Sequence, residues 1–132
     1  MPDRKYKILV VDDEEPMVEI VEGIVACCGH ETLHAYSGEQ AVTVARDSRP
    51  DAVLTGIMMA CGDGVWEAEQ IRQFLPDCRI ILISSALHNP ELRELLIRDG
   101  FDERLMLVKP FESAQLVELL NVVGIPSVLR QP

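Results

Sequence analysis

The hydrophobic pattern of this chain switches five times between a strand-like run and a helical period. KILVV (7–11) is short, largely apolar, rich in β-branched residues and bounded by charge, the pattern of a strand buried on both faces. Pro16 then opens a segment in which Met17, Ile20, Val21, Ile24, Val25 and Cys28 recur at helical spacing, with Gly29 as the stop. In ETLHAY (31–36), Leu33 and Ala35 alternate with His34 and Tyr36, as on a half-exposed edge strand. Ser37 with Gln40 forms a capping-box pattern for a second helix through Asp47. DAVLT (51–55) reads as the third strand, and Val65, Ala68, Ile71 and Leu75 mark a third helix. RIILIS (79–84) is the fourth strand; Pro90 and Gly100 bracket a fourth helix bearing Leu92, Leu95 and Leu96. RLMLV (104–108) is the fifth strand, and Ser113 caps a fifth helix with Leu116, Val117, Leu119, Leu120 and Val123.

Strict alternation of strand and helix predicts an α/β fold, a doubly wound parallel sheet with helices on both faces and right-handed crossovers. One domain is expected over 1–124. The tail 125–132 (IPSVLRQP) is expected to fray, and with no output domain following, a stand-alone module is expected.

Composition narrows the function classes. A net charge of −10 argues against nucleic-acid binding, which draws on clustered Lys and Arg. No apolar run approaches the ~20 residues that span a bilayer, and no signal peptide stands at Met1, so a cytoplasmic location is expected. Cys27, Cys28, Cys61 and Cys78 show neither a CxxC pair nor metal-ligand spacing and are expected as reduced, structural thiols. Trp66 is expected as a partly buried packing residue on the third helix.

Polar groups gather where the strands end. In an open parallel sheet ligands bind beyond the carboxyl ends of the strands. Asp12 and Asp13 end the first strand, Thr55 and Gly56 the third, Ser84 and Ser85 the fourth, and Lys109 the fifth. Two adjacent carboxylates are hard oxygen ligands suited to Mg²⁺.

These segments closely resemble the receiver domain of bacterial two-component response regulators. The resemblance rests on VVDDEEP at 10–16, IMM at 57–59, DG at 63–64, the hydroxyl-alanine pair Ser85-Ala86 and the KPF signature Lys109-Pro110-Phe111, and it extends to Val123. It implies a flavodoxin-like five-stranded sheet of order 2-1-3-4-5 with five helices. By resemblance Asp12, Asp13 and the backbone carbonyl of Met58 would hold Mg²⁺, Lys109 would contact a phosphoryl group, and Ser85 would bind it after rearrangement. Ser84 would take that role if the register slips by one. The Lys109–Pro110 bond would be cis.

The departures matter as much. Gly56 stands at the family's phospho-acceptor aspartate, so both the nucleophile and one metal-ligand carboxylate are missing. Ala60 and Cys61 replace the usual proline and glycine, the segment from Ser85 to Lys109 is longer than usual, and Met106 occupies the place of the switching aromatic residue. The expected function is therefore a receiver-like signalling module of a phosphorelay that is not phosphorylated itself, not an enzyme, and binds Mg²⁺ weakly if at all. Its partners would be a histidine kinase, a phosphotransfer protein or another response regulator, with a homodimer left open. The alternative is an ordinary phospho-acceptor receiver carrying an engineered or acquired change at position 56. A remote alternative is a phosphatase resembling the haloacid dehalogenase superfamily, with Asp12 as nucleophile and Glu14 as general acid.

Overall fold

The computed structural model describes residues 4–59 and 62–128. Five parallel strands form one sheet: β1 (Lys7–Val11), β2 (Glu31–Ala35), β3 (Ala52–Thr55), β4 (Arg79–Ser84) and β5 (Met106–Val108). Their order is β2-β1-β3-β4-β5. The helices are α1 (Glu15–Cys27), α2 (Gly38–Ser48), α3 (Gly64–Phe74), α4 (Pro90–Arg98) and α5 (Ser113–Val122). The doubly wound architecture expected from the alternation is thus the observed one, with the flavodoxin-like strand order that the resemblance implied.

The period-2 geometry of the strands divides the core in two. Leu9, Val11, Val53, Ile80 and Leu82 face α2, α3 and α4, where Ala41, Ala45, Ala68, Ile71 and Leu96 pack against them. Ile8, Val10, Leu54, Ile81 and Ile83 face α1 and α5, packing on Val18, Val21, Val25, Leu116 and Leu120. Both faces are covered, which explains why β1, β3 and β4 are nearly continuous apolar runs. The edge strand β2 is the exception, with Glu31 and His34 exposed.

Helix ends follow local chemistry. Ser37 Oγ accepts from the Gln40 backbone N–H at 3.1 Å, while Gln40 Oε1 accepts from Tyr36 N–H at 2.8 Å. α1, α4 and α5 end with Gly29, Gly100 and Gly124 at positive φ, where the following residue bonds back to the helix in Schellman fashion, as Ile125 N–H does to Leu120 C=O at 2.8 Å. α2 lacks that glycine, and Arg49 takes the left-handed position at φ 50°.

Several boundaries differ from the sequence reading. Ser113 is the first helical residue of α5 and Glu112 is its N-cap, its N–H donating to Gln115 Oε1 at 2.7 Å. β5 starts at Met106 because 103–105 winds into a 3₁₀ turn capped by Asp102. A second 3₁₀ turn, 85–88, precedes α4, and a two-residue antiparallel pair joins Met58–Met59 to Gly62–Asp63. The tail does not begin by fraying. Ile125 is buried with the α1/α5 core, His30 Nε2 lies 2.8 Å from Pro126 O, and Val128 N–H donates to Cys28 O at 2.8 Å. Trp66 is 43% exposed instead of packed, because the inward stripe of α3 runs through Ala68 and Ile71.

Among the described cysteines none is disulfide-bonded; Cys27 is exposed and Cys28 buried. Burial, aided by the Asp51 carboxylate, pushes the Cys78 thiol up to about 12, and burial raises Cys28 as well, with Cys27 adding to it. Thiolate is the reactive species. Iodoacetamide at pH 8 should therefore alkylate Cys27 well before Cys28 or Cys78, as followed by peptide mass mapping. Equal rates at the three would contradict this packing. Cys61 and Ala60 lie outside the described residues.

Candidate functional site

At the carboxyl end of the sheet the chain crosses from β1 and β3 to opposite faces, and a hollow of about 180 Å³ opens between the strand ends. Asp12, Asp13, Glu14, Gly56, Ser84, Ser85 and Lys109 all line it. Sequence segments up to 97 residues apart are brought together here, as the distance from Asp12 to Lys109 shows.

Asp12 is the buried acid of the group, 5% exposed. Its Oδ1 accepts from the Glu14 backbone N–H at 2.9 Å, which fixes the turn from β1 into α1. Its Oδ2 accepts from Lys109 Nζ at 2.9 Å. The Lys109–Pro110 peptide is cis, as the resemblance implied. One oxygen of Asp12 is thus held by backbone and the other by an ammonium group. Asp13 and Glu14 are exposed, and each of the three acids has an oxygen within 4.8 Å of the others.

Gly56 continues β3, its N–H donating to Val11 O at 3.2 Å, and it is buried. It is not among the glycines with positive φ. The backbone therefore does not require glycine at this position, and its consequence is the missing side chain alone. Opposite it, Ser84 and Ser85 diverge. Ser84 is buried and its Oγ caps the 3₁₀ turn by accepting from Ala86 N–H at 3.1 Å, whereas Ser85 is exposed. Met106 is buried in the sheet and packs in the α2/α3/α4 half of the core. The Met58 backbone lies in the short antiparallel pair beyond Gly56.

Two features behind Gly56 escaped the sequence reading. Gly64 N–H donates to Ile57 O at 2.9 Å, drawing the first turn of α3 against the Gly56 carbonyl. Glu67 is fully buried, with its Oε2 3.0 Å from Thr55 Oγ1. The same hydroxyl lies 3.1 Å from Gly56 O. The phase of α3 held the signal: Glu67 stands four residues before the buried Ile71, so it shares the inward stripe.

The donor set does not fit an octahedral Mg²⁺ site well. Mg²⁺ needs near-ideal geometry and sheds its waters reluctantly. Here the third strand-end carboxylate is missing and both oxygens of the buried Asp12 are engaged. What remains is an acidic cluster of hard oxygen donors.

Comparison with known proteins agrees with this geometry. Residues 8–121 match the model of the response regulator receiver domain. The chain is 34% identical over 131 residues to a probable transcriptional regulator, ycf27, of Pyropia yezoensis, covering 99% of this chain and 50% of that protein. The corresponding Porphyridium aerugineum protein is 31% identical, over 97% of this chain and 50% of its own length. The chain thus spans about half the length of the curated relatives it matches. Among solved structures, the chemotaxis protein CheY4 of Vibrio cholerae shares the fold, with a TM-score of 0.83 at 24% identity over 91% of this chain and 99% of that one. The CheX–CheY–BeF3–Mg complex of Borrelia burgdorferi aligns with a TM-score of 0.79 at 27% identity, over 89% of this chain and 88% of that one. The match displaces the dehalogenase-like alternative, in which Asp12 would have been a nucleophile. The chain belongs to the response-regulator receiver family.

Proposed function

We propose that this receiver signals without accepting a phosphoryl group, by binding other proteins of a two-component system in the cytoplasm, and that it is not an enzyme. The observation that carries the reading is Gly56: it lies at the end of β3, among Asp12, Asp13, Ser84, Ser85 and Lys109, with no side chain to phosphorylate. Lys109, the phosphoryl contact in the family, here neutralises Asp12 directly. In this reading Ser85 and Met106 keep the places of the family's switch residues but have no phosphoryl group to report. The partners are a histidine kinase, a phosphotransfer protein or another response regulator. Residual Mg²⁺ binding at Asp12, Asp13 and the Met58 carbonyl is weak, because the metal must compete with the Lys109 ammonium for Asp12.

Acetyl phosphate with Mg²⁺ should leave the intact mass of the protein unchanged. An acid-labile gain of one phosphoryl group on any aspartate would overturn the proposal. Titration of Mg²⁺ against Trp66 fluorescence should give no tight, saturable change; a tight isotherm would mean that Asp12, Asp13 and Glu14 suffice as ligands.

A further inference from the structure

The opposite end of the sheet, where the strands begin, carries a second polar hollow, of about 340 Å³. Arg4, Arg49, Asp51, Asp77 and Arg79 are its charged lining, and Pro50, Leu75 and Pro76 give it an apolar wall. Arg4 precedes β1, Arg49 follows α2 and Arg79 opens β4, so three separate elements bring arginines to one place. No residue of this hollow lines the acidic one at the strand ends. The four residues of β3 put roughly 13 Å between the two.

The three arginines differ in what already holds them. Arg4 Nη2 donates to Asp51 Oδ1 at 2.7 Å, and the second Asp51 oxygen accepts from the Lys7 backbone N–H at 2.8 Å. Arg79 Nε donates to Val123 O at 3.1 Å, which fixes the guanidinium and leaves its terminal nitrogens without a partner among the described residues. Arg49 has no side-chain hydrogen bond or ion pair among the described residues. With Asp51 neutralised by Arg4, Arg49 and Arg79 stand against the exposed Asp77 alone. This local excess of positive charge runs against the chain's net charge of −10. The backbone adds an independent observation. Arg49 takes the left-handed position after α2 at φ 50°, where α1, α4 and α5 are followed by glycine. A side chain there strains a turn that glycine would relax. The helix end does not ask for arginine, and strain of this kind is retained where the side chain has a task.

We propose that this hollow binds a small organic phosphate, its phosphate group held by Arg49 and Arg79 and its organic part laid on Pro50, Leu75 and Pro76. Guanidinium groups present N–H donors in a rigid fork that matches phosphate oxygens, and such charge-assisted bonds are among the strong ones. Two forks from different elements suit a tetrahedral dianion better than a single planar carboxylate. A concave hollow of this size suits a small molecule, whereas a protein partner needs a broader surface. Long polyanions such as nucleic acids are repelled by the rest of the chain. Asp77 opposes the anion and limits its affinity. Binding here does not involve position 56, so it stands or falls apart from the reading of Gly56.

Inorganic phosphate, titrated into the isotope-labelled chain at constant ionic strength, should shift the amides of Arg49, Asp51, Cys78 and Arg79 saturably. Phenyl phosphate should shift the same amides at lower concentration, because its ring can cover the apolar wall. Acetate should shift them only weakly. Arg49→Gly should fold with a Tm at or above the parent's, since glycine relieves the positive φ, yet bind both phosphates about tenfold or more weakly. Arg79→Gln keeps a donor for Val123 O and should weaken binding as well, whereas Asp77→Asn should strengthen it. A purely structural Arg49 would instead give the Tm change with unaltered binding, and that result would overturn the proposal. Shifts centred on Gly56, Ser84 and Lys109 would overturn it too, by assigning phosphate to the other hollow. So would an equal response to acetate, or no gain in affinity for phenyl phosphate over inorganic phosphate.

Discussion

Gly56→Asp should take up one phosphoryl group from acetyl phosphate, and only when Mg²⁺ is present. The expected gain is from no detectable incorporation to a mass increase of one phosphoryl group on the introduced residue. The backbone permits the change, because Gly56 lies outside the left-handed region and follows directly on an extended strand. The new carboxylate would enter a hollow already lined by Asp12, Asp13 and Lys109. It would complete a set of three strand-end carboxylates around a divalent cation, which is what the hard-oxygen chemistry of Mg²⁺ requires. Lys109 would then have two carboxylates to serve.

The same substitution makes stability depend on metal. Carboxylates brought within a few ångströms disfavour joint ionisation, so the variant should melt at a lower temperature than the parent in EDTA. Mg²⁺ binds the folded state only, and at a hundredfold excess over Kd it returns about 2.7 kcal/mol. The parent chain should show no such Mg²⁺-dependent change in Tm. A folded Gly56→Asp variant that stays unphosphorylated would place the lesion beyond the nucleophile, at Ala60 and Cys61 and in the longer segment from Ser85 to Lys109. It would then favour a purely structural binding module.

The sheet was legible because both of its faces are buried. That condition forces β1, β3 and β4 to be apolar at nearly every position, and such runs stand out between charged or turn-forming residues. The acidic hollow was legible because strand ends in a doubly wound sheet converge, so motifs remote in sequence had to meet. Features without a period were not legible. The 3₁₀ turn at 85–88 carries its apolar Leu87 inward with no helical repeat around it, and the antiparallel pair at 58–59 and 62–63 is too short to alternate. Docking of the tail rests on the buried Ile125, held by the Schellman turn at Gly124, and on the contacts of Pro126 with His30 and Val128 with Cys28, none of which repeats along the chain. Glu67 was missed for another reason. An acid on a helix reads as solvent-exposed, and only its phase with Ile71 contradicts that.

Gly64→Ala should be among the most destabilising single substitutions in the chain. The DG pair at 63–64 reads in sequence as a turn signal, but the structure gives the glycine a steric role. An added Cβ would overlap the Gly56 carbonyl oxygen, with the Gly56 carbonyl carbon 2.8 Å and Ile57 Cα 3.1 Å away. All three atoms belong to backbone, so no side-chain rotation relieves the overlap. Relief requires α3 to move off the end of β3. That motion would lengthen the bond from Gly64 N–H to Ile57 O and pull Glu67 from Thr55. Overpacking of a rigid site costs about 1–3 kcal/mol, and exposing or stranding a buried carboxylate adds to it, so a loss of about 3 kcal/mol or more is expected. Against a typical stability of ~5–15 kcal/mol, that is a large fraction. Urea unfolding of the parent and variant measures it, with the m-value as a check that the folded state is otherwise the same. Gly23→Ala is the matched control: its Cβ meets nothing, and helix propensity should raise stability by about 0.8–1 kcal/mol. A Gly64→Ala variant as stable as the parent would show that α3 does not press against the Gly56 carbonyl, and would remove the steric reason for glycine at the start of that helix.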